Sequence, residues 1–472
     1  MRLSLQEILE ATRGRLLRLD QPPPDAIVTG VSTDTRTLRP GDLFIPLRGP
    51  HADGHTFLAD AFRRGAVAAL TAHEGGAELA VGPLIQVPDP LRALGAIAGA
   101  HRRRLRATVV GITGSVGKTT TTKMTAAVLT TSFRVVQTRE EWNAEVGVPL
   151  TLLGLTDAHE VAVIEMAMRG LGQIAELVEI AAPTIGVVTT IGESHLEFLG
   201  TLENVARAKG ELIAGLPPTG TAVLNRDDPA VAVLGSLHRG RVMTYALDVP
   251  ADVTAAQLRT TRAGVHFRLV VGDRSAEVAL PTWGRHNVRN ALAAAAVGVT
   301  MGLTLERIAD GLARFPLPAK RLEPVLLGEV FLLNDTYNAS PASMRAAFDV
   351  LAELAPAPRR IAVLGGMREL GPRSVAWHEE IGHVLGQQGV RLLITLGDDA
   401  RPIADGAAAA GMRPAAMVHV RSREDVVAVL VRELRPDDVV LIKGSRALEM
   451  DRIIERLQAH RPSAAGRERD RA

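Results

Sequence analysis

The chain contains no cysteine, so disulfides, thiolate metal sites and cysteine nucleophiles are excluded, and any metal must be held by oxygen or imidazole. Aromatic residues make up only 3% of the 472 positions, which leaves few rings to stack on bases or sugars. Neither sign of charge dominates: 54 Lys and Arg stand against 52 Asp and Glu, and a net +2 is too small to coat a nucleic-acid backbone. Nucleic acid is therefore not an expected partner. Long apolar runs are missing too. The longest uncharged stretch, Asn290 to Leu305, falls short of the roughly 20 apolar residues of a membrane span and includes Asn290, Thr300 and Thr304. Met1 to Gly14 carries Glu7 and Glu10 in an amphipathic helical pattern, without the basic and apolar regions of a signal peptide. These absences predict a cytoplasmic protein with no membrane insertion, and we expect a monomer.

What is present is a long aliphatic chain, 46% hydrophobic, with enough length for several domains at roughly 100–200 residues each. No period of 20–50 residues recurs, which argues against a solenoid or propeller. Residues 1–105 hold short strand-like pieces (Asp42 to Leu47, Val67 to Leu70, Leu84 to Val87) and close with an Ala-rich helix, the pattern of a small α/β module. From residue 106 to 316 apolar strands alternate with helices: Ala107 to Thr113, Lys118 to Thr131, Val161 to Glu165, Thr184 to Thr190. That alternation predicts a mainly parallel sheet covered by helices, and Thr254 to Leu280 adds antiparallel strands to the central domain. A second such series over 317–459, with strands at Val330 to Asn334, Ile361 to Leu364, Leu392 to Leu396 and Val439 to Lys443, predicts a Rossmann-like third domain. Residues 460–472 read as a frayed, Arg-rich tail. The Pro-punctuated stretch Phe315 to Pro318 is the expected hinge.

The strongest local signal is Gly111-Ile112-Thr113-Gly114-Ser115-Val116-Gly117-Lys118-Thr119-Thr120, directly after an apolar strand and opening a helix. Gly114 and Gly117 let the backbone curl so that the loop's N–H groups, Ser115 and Thr120 included, and the helix start face phosphate. Lys118 supplies a cation for the β and γ phosphates, and Thr119 a hydroxyl for Mg²⁺. Ile112 occupies the place of the first glycine in the commonest spacing. A phosphate loop alone does not choose among kinase, switch, motor and ligase. Glu165 ends its strand at the carboxyl edge of the predicted sheet and suits a further Mg²⁺ ligand; His195 follows the next strand, and Lys209 lies in Ala208-Lys209-Gly210-Glu211. Taken singly, each has an ordinary structural reading.

Taken together, phosphate loop, strand-end glutamate, histidine and lysine closely resemble the Mur ligase superfamily, ATP-dependent enzymes that join amino acids or dipeptides to the carboxylate of a growing peptide. The resemblance runs along nearly the whole chain. Gly284 to Asn290 matches its His-Asn-Xaa-Xaa-Asn segment, which implies that Asn287 and Asn290 face the adenine. Lys320-Arg321-Leu322-Glu323 and Asn334 to Pro341 resemble the C-terminal-domain segments from which Arg321 and Asp335 reach the nucleotide. Thr33-Asp34-Thr35-Arg36, Pro40 to Phe44 and Asp53-Gly54-His55 resemble the uridine-nucleotide module of the branches adding the third amino acid and the terminal dipeptide. Asn334 to Met344, Gly365 to Gly371 and Lys443 to Arg446 resemble the dipeptide-adding branch, and the Asp-Asn-Pro-Arg string of the other is absent. Two segments depart from the pattern: Glu141-Trp142-Asn143-Ala144-Glu145 is thinned of asparagines, and Ala167 stands where glycine is frequent.

The resemblance implies a three-domain α/β architecture: a uridine-nucleotide module, a central phosphate-loop ATPase domain and a Rossmann-like ligase domain. It implies ligation of D-alanyl-D-alanine to a UDP-N-acetylmuramoyl-tripeptide through an acyl phosphate, with ATP and two Mg²⁺ ions. Lys118, Glu165, His195 and Lys209 are its catalytic candidates, and Thr119, Glu165, His195 and Lys209 its metal set, Lys209 as a carbamate. Asp34, Thr35, Arg36, Asn143, Tyr337 and Asn338 are its substrate contacts. The alternatives are a ligase of the third amino acid and, in a different class, a nucleotide switch.

Overall fold

The structure is a computed structural model and describes residues 1–17, 26–49, 52–73, 82–139, 141–192 and 196–460. Six parallel strands form the central sheet, in the order Arg241–Tyr245, Thr221–Asn225, Ile185–Val188, Thr108–Thr113, Val161–Glu165, Val135–Gln137. Thr108–Thr113 lies in the middle, and the chain leaves it first toward one edge and later toward the other. Its carboxyl end is thus a topological switch point, where open parallel sheets bind ligands. Alternate residues of these strands serve opposite faces. Val110, Ile112, Val161 and Val163 pack with the Ala-rich helix Arg285–Thr300, whereas Val109, Ala162 and Ile164 pack with Leu94 and Ile97 of the helix Pro90–Arg103.

Thr254–Thr261, Gly264–Val271 and Arg274–Leu280 make a separate three-stranded antiparallel sheet rather than extending the six-stranded one. Val265, Phe267, Leu269, Val278 and Leu280 alternate inward to the core beneath Arg285–Thr300. The last unit has a second six-stranded sheet, in the order Glu323–Leu327, Val330–Asp335, Val439–Lys443, Arg360–Gly365, Leu392–Leu396, Met417–Val420, parallel except for its first strand. Its closing helix, Asp451–His460, ends on the first residue of the expected tail, and residues 461–472 lie outside the described residues.

The first unit carries a five-stranded sheet, in the order Arg15–Leu16, Leu84–Gln86, Ala68–Thr71, Asp42–Phe44, Gly30–Ser32. It does not stand apart from the central unit. One core runs from Leu5, Ile8, Leu43 and Leu70 through Leu94 and Ile97 to Val109 and Ile164. The helix Pro90–Arg103, started by Asp89 as N-cap with Pro90 behind it, is the shared element. Arg102 donates to Ala181 O (3.1 Å) and Ala107 O (2.8 Å), and a ring nitrogen of His101 lies 2.9 Å from Leu155 O. The chain enters the last unit through Lys320 and Leu322, just beyond the expected hinge, which adopt left-handed backbone (φ 59° and 52°) that ordinary side chains seldom take.

Candidate functional site

The phosphate loop sits at the switch point and is held from two sides. Ser115 N–H donates to Thr190 O (2.8 Å) and Val116 N–H to Thr190 Oγ1 (3.1 Å), while Thr189 Oγ1 donates to Val116 O (2.6 Å). The Ser115 hydroxyl donates to Gly192 O (3.1 Å). Gly114 and Gly117 have positive φ, and a Cβ on either would overlap a side-chain oxygen, Thr189 Oγ1 and Asn290 Oδ1 respectively. The loop is therefore a cradle that admits only glycine at these two points. Lys118 opens the helix Lys118–Thr130 and folds its ammonium onto Gly114 O (2.8 Å). Burial pulls its pKa below the ordinary lysine value; Glu165 opposes that shift and Arg321 adds to it.

Glu165, 5% exposed, projects from the strand end as expected. Asn143 Nδ2 donates to its Oε1 (2.8 Å), so Asn143 orients the carboxylate beside the loop. Lys209 lies on the helix Leu202–Ala214 and is 2% exposed, which rules out a surface position. No carboxylate of the described residues is within ion-pair distance of it, and burial, with Lys118 nearby, drives its pKa well below the ordinary value. Glu211, two positions on, points away and accepts from Gly172 N–H (2.7 Å) and Ala175 N–H (3.0 Å). His195 lies outside the described residues. The oxygen donors of Thr119 and Glu165 suit a hard divalent cation, and the glycine cradle with Lys118 suits a triphosphate.

Asn287 and Asn290 form a buried chain rather than an open pair. Asn287 Nδ2 donates to Trp283 O (2.9 Å), Asn290 Nδ2 to Asn287 Oδ1 (3.0 Å) and Thr121 Oγ1 to Asn290 Oδ1 (3.2 Å). That chain ties Arg285–Thr300 to the helix that carries Lys118 and Thr119; Thr120 is buried within the latter. From the last unit Arg321 crosses over, donating to Thr119 Oγ1 (3.2 Å) and stacking 3.9 Å from the Tyr337 ring centroid. Asp335 is engaged by the buried Lys443 ammonium (2.6 Å), which also donates to Asn338 O (3.0 Å). Arg446 pairs with Glu141, another bridge between the units. In the first unit Asp34 and Arg36 pair with each other (2.6 Å), the guanidinium holds the Asp34 carboxyl below its usual range, and Thr35, the residue between them in sequence, is buried.

Sequence reasoning did not foresee Lys443 as the partner of Asp335, Asn143 as the partner of Glu165, or Thr189 and Thr190 as the clamp on the loop. Lys443 did carry a signal, the same one as Glu165: a charged residue closing an apolar strand.

Three family models match successive stretches: "Mur ligase family, catalytic domain" over residues 27–102, "Mur ligase middle domain" over 112–298 and "Mur ligase, glutamate ligase domain" over 320–446. The UDP-N-acetylmuramoyl-tripeptide--D-alanyl-D-alanine ligase of Synechocystis sp. is 37% identical over 470 residues, covering 98% of this chain and 99% of that one. The chain belongs to the Mur ligase family. Among solved structures this Mur ligase is similar to MurF from Acinetobacter baumannii (TM-score 0.89, 28% identity, 97% of this chain and 99% of that one). It is also similar to the Thermotoga maritima MurF ligase solved with ADP (TM-score 0.82, 27% identity, 92% and 97%). The three-unit α/β reading of the sequence and its placement among ATP-dependent amide-forming ligases are thereby supported. No helix among the described residues is long and apolar enough to cross a membrane.

Proposed function

We propose that this Mur ligase joins D-alanyl-D-alanine to the free carboxylate of a UDP-N-acetylmuramoyl-tripeptide at the expense of ATP, in building a peptidoglycan precursor. The observation that carries the reading is the reach of Arg321 from the last unit onto Thr119 of the phosphate loop, in a chain alike end to end with ligases of that name. A carboxylate is a poor electrophile. Its oxygen attacks the γ phosphorus, the bond from that phosphorus to ADP breaks, and an acyl phosphate results. The neutral amine of D-alanyl-D-alanine attacks the acyl carbon, phosphate leaves with the C–O bond electrons, and the amine's extra proton departs to solvent. In this reading Lys118 turns from the loop carbonyls to the phosphates, and Arg321 offsets charge at Thr119. Asn287 and Asn290 brace the loop on its adenine side, while Asp335 and Lys443 order the segment with Tyr337 and Asn338 against the acceptor. Asp34, Thr35 and Arg36 take the uridine diphosphate. Mg²⁺, held by Thr119, Glu165 and His195, would reduce the repulsion between two anionic reactants.

Lys209 belongs to this reading as a carbamate: its neutral amine adds to carbon dioxide, an N–C bond forms as one C=O π bond opens onto oxygen, the nitrogen's extra proton leaves, and a buried amine becomes an anionic oxygen ligand. The support is its burial with no carboxylate partner among the described residues. We take the units to divide near residues 105 and 316 and the chain to act alone in the cytoplasm. Phosphate release is the test: it should require both the UDP-tripeptide and D-alanyl-D-alanine and be lost in Lys118→Ala. ATPase turnover indifferent to the dipeptide would point instead to a nucleotide switch. Lys209→Ala should lose most activity and regain part with a short-chain carboxylic acid; an active Lys209→Arg would sink the carbamate.

A further inference from the structure

A cavity of about 150 Å³ opens beside the phosphate loop, between the helix Lys118–Thr130 and the edge strand Val135–Gln137. Thr119 and Glu165 line one end, and Thr122, Gln137 and Arg139 the remainder, with Lys123 beside them. Two side chains of its lining carry a buried polar atom with no hydrogen-bond partner among the described residues: Thr122 Oγ1, on a side chain 2% exposed, and Gln137 Oε1. Buried polar atoms left without a partner are rare, because each forfeits its hydration for nothing, so two in one cavity mark a place where something else bonds. Thr138 is not part of this deficit, since its hydroxyl accepts from Glu165 N–H (2.9 Å). Arg139 is stacked 5.0 Å from the Trp142 ring centroid and meets no carboxylate among the described residues. An acceptor, a hydroxyl and a guanidinium therefore belong to the residues that line one space, which adjoins the metal and phosphate end of the site.

Resting on the ligase reading above, we propose that this cavity seats the side chain of the tripeptide's third residue and selects one that ends in an amino acid, with ammonium and carboxylate on the same carbon. The reacting carboxylate has to lie at the γ phosphate, near Thr119 and Glu165. The side chain of the residue that carries it starts one carbon away, so the adjoining cavity is within its reach. Gln137 Oε1 and Thr122 Oγ1 accept from the distal ammonium, and Arg139 pairs with the distal carboxylate, bidentate in its favoured geometry. A side chain that ends in an amine alone, as in lysine, leaves the Arg139 guanidinium unmatched.

The test measures binding by calorimetry and kcat/KM by phosphate release, using UDP-N-acetylmuramoyl-tripeptides that carry either diaminopimelate or lysine at the third position. Wild type should favour the diaminopimelate peptide by about tenfold or more, because a site built around a polar group rejects the analogue that lacks it. Arg139→Ala, at an exposed position, should cut that preference at least about fivefold through weaker binding of the diaminopimelate peptide. Thr122→Val, of nearly equal volume, should move it in the same direction by a smaller factor. Equal use of both peptides by wild type, equal losses on both in Arg139→Ala, or a raised KM for D-alanyl-D-alanine in that variant would overturn the inference while leaving the ligase reading standing. Turnover of neither peptide would overturn the ligase reading itself.

Discussion

Replacing Gly117 with alanine should damage both the stability and the chemistry of the central unit. The position has φ +89°, and an L side chain held in left-handed backbone costs about 1–2 kcal/mol. The added Cβ would overlap Asn290 Oδ1, well inside the 3.0 Å that real Cβ contacts respect, so the Asn290 amide has to swing away. It then loses the bonds from Thr121 Oγ1 (3.2 Å) and to Asn287 Oδ1 (3.0 Å), both buried and worth about 1 kcal/mol each. The sum is roughly 3–4 kcal/mol, or about 10 °C in the melting of a unit this size. Scanning calorimetry reads the first number, and titration with ATP should show binding weakened at least about tenfold. The double variant Gly117→Ala, Asn290→Ala checks the reasoning. Asn290→Ala alone already forfeits both hydrogen bonds and empties the space, so adding Gly117→Ala should cost only the backbone strain, and the two changes should fall short of additivity by about 2 kcal/mol. Full additivity, or a Gly117→Ala variant with unchanged melting and ATP affinity, would refute the account of Asn290 as the brace beneath the loop.

Asn143→Ala frees the Glu165 carboxylate and should lower kcat about ten- to hundredfold with ATP affinity little changed; an equal loss of ATP binding would mean that Asn143 shapes the nucleotide site instead. The His286 ring is pushed down to about 4 from 6.5, chiefly by burial, with Asp335 opposing and Lys443 and Arg289 reinforcing the shift. As pH falls through that interval the unfolded chain takes the proton first, so stability is lost from about pH 6.5 to 4, on the order of 3 kcal/mol from this group. Denaturation of His286→Gln should show a correspondingly shallower acid slope, and parallel curves for the two proteins would refute the assignment. Arg446→Ala breaks the pair with Glu141, but both groups are largely exposed, so melting should change by less than about 1 kcal/mol; a larger loss would show the bridge to be structural.

Much of the architecture was legible because its signals are short-ranged. Val161-Ala162-Val163-Ile164-Glu165 announces a strand and its carboxyl-edge charge in five residues, and Gly114 to Thr119 announces the cradle in six. The capping box of Ser4 and Glu7 that starts the first helix is equally local. The antiparallel strands between Thr254 and Leu280 were visible in their alternation, but whether they join the six-stranded sheet or form their own depends on edge pairing that no alternation encodes. The same holds for the first unit, whose pattern suggests a small α/β module but not that Leu94 and Ile97 join it to the central core.

The site divides in the same way. By itself the sequence determined which chemistries are on hand: a flexible loop, a cation, a hydroxyl, a strand-end carboxylate and a lysine. Only the tertiary structure decided what each of them faces. Thr121 and Asn290 are 169 positions apart and Thr119 and Arg321 are 202 apart, yet each pair is hydrogen-bonded. Lys209 sits in a polar stretch of sequence, and nothing local says that its helix turns it inward to a place where no described carboxylate pairs with it. Local conformation follows from side chains a few residues apart, whereas burial and partnership are properties of packed surfaces, set when whole sheets and helices close on one another.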